Sequence, residues 1–297
     1  MHKTFIALVA MCLMLLSCTK DKTDYQAVVD EPKPEHPSFQ ETASISFSTY
    51  SLRIEVPEGK FQTGYNPLRM QLVNRYSHQR IPANEVEKIT LTPRFTDQEM
   101  TVRTGPHQRQ INPDDQGYHS GFIIFPEASK AGHDWELSFT IRVADSTHHI
   151  RERIQVQEQS NPNLNMTHFN GRDGAAYIIA LVAPRQPQVG ENELIACIYR
   201  RDNQSDYSVA KNYTLLLDPR MPEASMGNHS SPNNRDLQQQ DNGYYHGVVN
   251  YTMTGNWTLN FILLNAEGTV IKGTTVPTDF TPGIPGIKSE LHIDIFF

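Results

Sequence analysis

The sequence predicts an all-β protein built as two tandem immunoglobulin-like antiparallel β-sandwiches, preceded by a signal peptide and a disordered stalk. Three observations carry that expectation. First, the chain repeats itself at one spacing: Gly64, Asn66 and Leu68 return as Gly190, Asn192 and Leu194, Pro93-Arg94 as Pro219-Arg220, Met100 as Met226, and Gly117-Tyr118 as Gly243-Tyr244, all 126 residues apart. Matches falling mostly on Gly and Pro mark turns in equivalent places of a duplicated unit. Second, apolar residues alternate, as in Trp135, Leu137, Phe139, Ile141 and Val143, or Trp257, Leu259, Phe261 and Leu263. That period of two belongs to a strand with one buried face. Third, no window beyond the first residues carries an apolar face at helical spacing, and Gly, Pro and Asn interrupt the pattern every few residues, the cadence of a sandwich.

The elements follow in chain order. Residues 1–17 read as a lipoprotein signal peptide: Lys3 gives a positive start, Phe5 to Leu16 is almost wholly apolar, and Leu15-Leu16-Ser17-Cys18 closes it. The run is too short to span a bilayer. The tetrapeptide resembles a bacterial lipobox, which makes Cys18 the lipidation site and the first mature residue. Thr19 follows rather than an aspartate, which in such lipoproteins points to the outer membrane, facing the periplasm or the exterior. Residues 18–43, rich in Asp, Lys, Glu and Pro, form a flexible stalk reaching roughly 25 to 30 Å. Residues 44–158 are the first sandwich, Glu158 to Asn163 a soft divide, and 166–297 the second sandwich.

Removal of residues 1–17 takes away one of 26 basic residues and none of the 33 acidic ones. The acidic balance that remains argues against a nucleic-acid partner and against binding an anionic bilayer through a basic face. The membrane partner is reached through the lipid. Cys197 is then the one cysteine of the folded part, set in the apolar run Leu194 to Ile198 and read as an inert core thiol with no disulfide partner.

The second unit carries Gly-x-Asn-x-Leu (Gly190 to Leu194), Met221-Pro222, Met226-Gly227-Asn228-His229, Gly-Tyr-Tyr-x-Gly (Gly243 to Gly247) and Met-x-Gly-x-Trp (Met253 to Trp257). In that order these elements resemble a YtkA-like or FixH-like domain, and the spacing of the first unit makes it a degenerate copy. The resemblance implies a small immunoglobulin-like domain of the bacterial envelope and, as a family tendency, metal handling. At equivalent positions the first unit has Phe95, Arg103 and His119 where the second has Met221, His229 and Tyr245. Any ligand set therefore belongs to the second unit, and the first is a structural or partner-facing copy.

Met221, Met226 and His229 fall in one short stretch. Thioethers with an imidazole suit cuprous copper, because soft donors favour a soft ion. His246 and Met253 are further candidate ligands if the strand around Gly243 to Gly247 lies beside that loop. The competing reading makes both methionines adaptable core residues and His229 a turn cap, and burial of both in a packed loop would favour it. Tyr244 and Tyr245 are candidates for an aromatic binding platform, with one of the two rings facing the core by strand parity. His107, His119 and His133 are expected in solvated or satisfied roles and His148-His149 at a hairpin tip, while Asp114-Asp115 reads as an Asx turn. No strained serine elbow, cysteine and histidine pair or phosphate loop is present. The sequence thus asks for no enzyme. It points to a non-catalytic lipid-anchored envelope protein that binds copper(I) through its Met and His loop. The alternative is an adhesive or scaffolding lipoprotein meeting a protein or glycan partner without metal.

Overall fold

A computed structural model describes residues 38–97, 99 and 101–297. The signal sequence, Cys18 and most of the expected stalk lie outside the described residues, as does Met100. Among the described residues every regular element is a strand except one 3-10 turn, Ala83–Glu85, and no helix is long and apolar enough to cross a membrane.

The first copy runs β1 (Phe39–Phe47), β2 (Tyr50–Pro57), β3 (Phe61–Gln62), β4 (Gly64–Asn74), β5 (Val86–Thr96), β6 (Val102–Arg103), β7 (Gln110–Pro113), β8 (His119–Phe125), β9 (Asp134–Val143), β10 (Ser146–Ile154) and β11 (Val156–Gln157). One layer is ordered β1-β2-β4-β8 and the other β5-β9-β10, and the crossing strand β7 hydrogen-bonds to both. The second copy runs β12 (Met166–Asn170), β13 (Ala176–Ala183), β14 (Gly190–Arg201), β15 (Tyr207–Val209), β16 (Thr214–Met221), β17 (His229–Ser230), β18 (Arg235–Gln239), β19 (Tyr245–Tyr251), β20 (Asn256–Leu264), β21 (Val270–Gly273) and β22 (Leu291–Phe296). Its layers are β12-β13-β14-β19 and β16-β20-β21, joined by β18.

The repeat is one of structure as well as of sequence. β2 and β13, β4 and β14, and β8 and β19 each begin 126 residues apart. A difference lies at the end: β10 is one strand along β9, whereas β21 and β22 share the edge of β20 and residues 274–290 are inserted between them. Each copy has its own core, centred on the buried Trp135 and Trp257. Alternation produces these cores directly, since β9 buries Trp135, Leu137, Phe139, Ile141 and Val143 and turns the residues between them outward.

Two expectations are corrected. The stalk does not extend to residue 43, because β1 begins at Phe39, whose ring lies under the Arg69 guanidinium at 4.6 Å. That contact and pairing with β2 recruit residues whose local composition is polar. The divide between the copies is not soft. Gln159 Nε2 donates to the Thr63 carbonyl at 2.5 Å and Asn161 Nδ2 to Asp294 at 2.6 Å, so its amide side chains tie it to both copies.

The described residues fall in one compact unit. A third apolar cluster welds the two copies: Phe122 and Ile124 from β8 meet Met166, Ile178, Ala180 and Cys197 from β12, β13 and β14. Tyr65 stacks on Phe122 with ring centres 5.1 Å apart and reaches the Tyr244 hydroxyl at 3.3 Å.

Candidate metal rim

At one end of the second sandwich, β16 finishes at Met221 and the chain makes two successive turns. Met226 N donates to the Glu223 carbonyl at 2.8 Å and His229 N to the Met226 carbonyl at 3.2 Å. The second turn needs positive φ at Gly227 and Asn228, 65° and 52°, residue types that tolerate it. The chain then returns as β17, which places His229 directly opposite Met221 in an antiparallel pair. Opposed residues share a face.

Around that pair the rim is built from known contacts. The Trp257 ring lies edge-on to the His229 ring at 6.3 Å, and its indole nitrogen donates to the Met253 carbonyl at 3.0 Å. His229 Nε2 lies 3.0 Å from the Thr252 hydroxyl. Met221 is 2% exposed, Met226 is half-buried against the second core, and His229 and Met253 are exposed. Gly255 lies under the Met221 terminal methyl, which would be 2.6 Å from a Cβ added there. The inserted segment 274–290 backs the loop: Gly286 N donates to the Pro222 carbonyl at 2.6 Å, and Asn228 Nδ2 to the Pro277 carbonyl at 3.0 Å.

The same end of the first sandwich is the control. Phe95 and Arg103 hold the positions of Met221 and His229 and are opposed in the same way, with the guanidinium over the Phe95 ring at 5.3 Å. Glu127 stands at the position of Met253, and its backbone carbonyl likewise accepts the indole N–H, that of Trp135, at 2.9 Å. Phe125 becomes Tyr251, whose hydroxyl is buried without a partner among the described residues, as is Asn228 Oδ1. Burial raises the Tyr251 phenol well above its ordinary value. The duplicated scaffold is conserved in geometry, and its rim changes from a cation and ring pair to thioether and imidazole.

The remaining candidates are dispersed. β19 lies between β14 and β18 and not beside β17, so His246 is some six residues, about 20 Å along an extended strand, from Thr252. Its Nδ1 meets Glu193 at 3.0 Å. This separates His246 from the loop, while Met253 stays at it. Tyr245 is the core-facing member of its pair, with its hydroxyl donating to the Ala210 carbonyl at 2.6 Å. Tyr244 packs between the copies against Phe122. Neither ring is therefore an open platform. Cys197 is buried at the weld, not in a sandwich core, and burial pushes its thiol up to about 12. Among the described residues no three His, Cys, Asp or Glu side chains gather as a metal site, so a metal at the rim would rest on the thioethers.

Other histidines differ from expectation too. His119 is buried with Nε2 unpartnered among the described residues, and burial lowers its pKa. The β9 and β10 hairpin turns at Ala144 and Asp145, so His148 lies within β10, packed on the Phe47 ring at 5.0 Å. Asp114 does form the expected turn, accepting from Gln116 N and Tyr118 N at 3.0 and 2.9 Å.

No family model matches the chain, and no curated protein matches it. Among solved structures it is similar to a DUF4785 family protein from Legionella pneumophila, 12% identical over 75% of this chain and 54% of that one, with a TM-score of 0.25. It is also similar to pT26-6p, 9% identical over 79% and 64% of the two chains, with a TM-score of 0.25. The chain thus spans less than two thirds of either neighbour.

Proposed function

We propose that this is a non-catalytic, lipid-anchored envelope protein whose second sandwich binds copper(I) at the rim formed by Met221, Met226 and His229, with Met253 beside them. The observation that supports it is the replacement at one conserved bridge: Phe95 opposite Arg103 in the first copy, Met221 opposite His229 in the second. Soft donors at a solvent-reaching edge next to an indole suit a cuprous ion for sequestration or transfer. Of the four buried side-chain atoms without a partner among the described residues, Tyr251 Oη and Asn228 Oδ1 border this rim and leave it polar capacity, while Arg103 Nε stands at the equivalent end of the first copy and His119 Nε2 elsewhere in it. The likeness to YtkA-like or FixH-like domains, the Cys18 anchor and the outer-membrane location belong to the same proposal.

A second reading rests on the burial of Met221, 2% exposed with its methyl over Gly255. In that reading the methionines plug the sandwich end and the chain is an adhesive or scaffolding lipoprotein. A competitive cuprous titration of the full-length protein beside its Met226→Ala, His229→Ala double variant separates the two. The copper reading expects strong retention by the wild type and its loss in the variant. Equal, weak retention by both assigns the rim to packing.

A further inference from the structure

A cavity of about 450 Å³ lies between the two copies, opposite in character to the metal rim. Its floor is the face of the second copy that turns toward the first. Asn170 on β12, Ala176 on β13, Arg201 on β14 and Tyr207 on β15 are mutual partners across four adjacent strands. Paired residues stand on one face, so these side chains form a single row. His168 and Ile178 make the next rung of the ladder. Ala176, the smallest member, leaves a trough between Asn170 and Arg201. Arg103 and Glu127 of the first copy form the facing wall.

The charges in this cleft are unevenly matched. Arg103 is held by Asp97 at 3.3 Å and by Glu127 at 3.4 Å. Arg201 donates through Nε to the Asn203 carbonyl at 3.1 Å, and among the described residues no carboxylate lies within ion-pair distance of it. Its guanidinium fork is thus available to a carboxylate. The ladder hydrogen bonds of the floor lie in the plane of its sheet, and the free backbone edges are those of β12 and β15, so a ligand lying over the face of the trough meets side chains and not backbone. What the trough offers is side chains alone: a phenol ring, an amide, an imidazole and a guanidinium. Alternating polar and aromatic surface matches a sugar ring, which has hydroxyl edges and an apolar face.

From this we infer that the cleft between the copies is a binding site for a saccharide bearing a carboxylate, such as a uronic acid unit, with Arg201 holding the carboxylate and Tyr207 lying against the ring. The site is separate from the copper rim. It deepens the adhesive reading by naming a ligand class, and a protein partner docking elsewhere would leave that reading standing if the saccharide failed.

The test presents a panel of uronic-acid oligosaccharides, matched neutral oligosaccharides and acidic peptides to the full-length protein in detergent. The wild type is expected to bind acidic saccharides in preference to neutral ones. Arg201→Gln is expected to lose about tenfold in affinity, the equivalent of ~1.4 kcal/mol, and Arg201→Lys to recover part of it. Ala176→Leu, which fills the trough, provides a second variant that keeps the charge and should also abolish binding, with folding of all three checked by circular dichroism. Absence of binding to every acidic saccharide, unchanged affinity in folded Arg201→Gln, or selection of acidic peptides alone would overturn the inference.

Discussion

Asn66 and Asn192, 126 residues apart, make the same three hydrogen bonds. Each amide nitrogen donates to two carbonyls, Gln62 and Gly64 at 2.7 and 2.8 Å in one copy, Gln188 and Gly190 at 2.7 and 2.9 Å in the other. Each amide oxygen accepts from a backbone N–H at 3.0 Å, that of Gln62 and of Gln188. The bonds close the turn leading into β4 and β14, where Gly64 and Gly190 sit at φ 98° and 109°, angles open to glycine. Asn66 is buried and Asn192 half-buried. Asn66→Ala is therefore expected to cost about 2 kcal/mol and Asn192→Ala about 1 kcal/mol in urea unfolding. Equal, negligible losses would mean that the turns hold without their amides.

Asp294 is the polar hub of the second copy. Buried on β22, it accepts from Thr258 at 2.7 Å, Lys288 at 2.8 Å and Asn161 at 2.6 Å, tying the inserted segment and the divide to the sheet. Burial opposes ionisation, but the Lys288, Thr258 and Asn161 bonds together outweigh it and hold the carboxyl below its ordinary value. A depressed folded-state pKa means stability that is fully present above the unfolded-state value of about 3.9 and is lost as pH falls through the lower folded value. Asp294→Asn is expected to cost about 3 kcal/mol at neutral pH and to flatten the acid limb of a stability profile. A variant whose acid limb matched the wild type would show that other carboxylates govern it.

Phe122 fastens the copies together. Its ring meets Tyr65, Tyr199 and Tyr244 at 5.1, 6.5 and 6.4 Å. Phe122→Ala removes those contacts and leaves both sandwich cores intact, at a cost of about 3 kcal/mol. Calorimetry should show one wild-type transition divided into two in the variant. A single transition with an unmoved midpoint would place the coupling elsewhere.

Cys197 should be chemically silent in the native protein, since its thiol is buried and its ionisation suppressed. Maleimide labelling at pH 8 is expected only after urea unfolding. Rapid native labelling would show that the weld between the copies opens.

Much of this architecture was legible in the chain because duplication leaves its turns in place. The shared spacing of Gly64 with Gly190 and of Gly117 with Gly243 locates β4, β14, β8 and β19, and strand parity sends one ring of the Tyr244 and Tyr245 pair into the core, which the structure shows to be Tyr245. The weld does not follow from the repeat or from strand parity, although the chain carries a signal of it. Phe122-Ile123-Ile124-Phe125 and Ile178-Ile179-Ala180-Leu181 are apolar on both faces, a pattern of strands covered from two sides. With Tyr244 taken into that contact, the platform disappeared. The divide misled because Asn and Gln look solvated in sequence yet can bond to backbone on either side. His246 was out of reach of sequence because the order of β14, β19 and β18 depends on long-range pairing. The equivalence of Glu127 with Met253 was present in the spacing and becomes meaningful once both are seen to accept a tryptophan bond.

The copper rim is tested most directly by X-ray absorption at the copper edge of the full-length protein loaded with one equivalent of Cu(I). The account predicts a shell of sulfur scatterers with an imidazole nitrogen, with sulfur diminished in Met221→Leu and Met226→Leu and the imidazole signature gone in His229→Gln. A shell of oxygen and nitrogen alone, or a shell unchanged by all three substitutions, would contradict it.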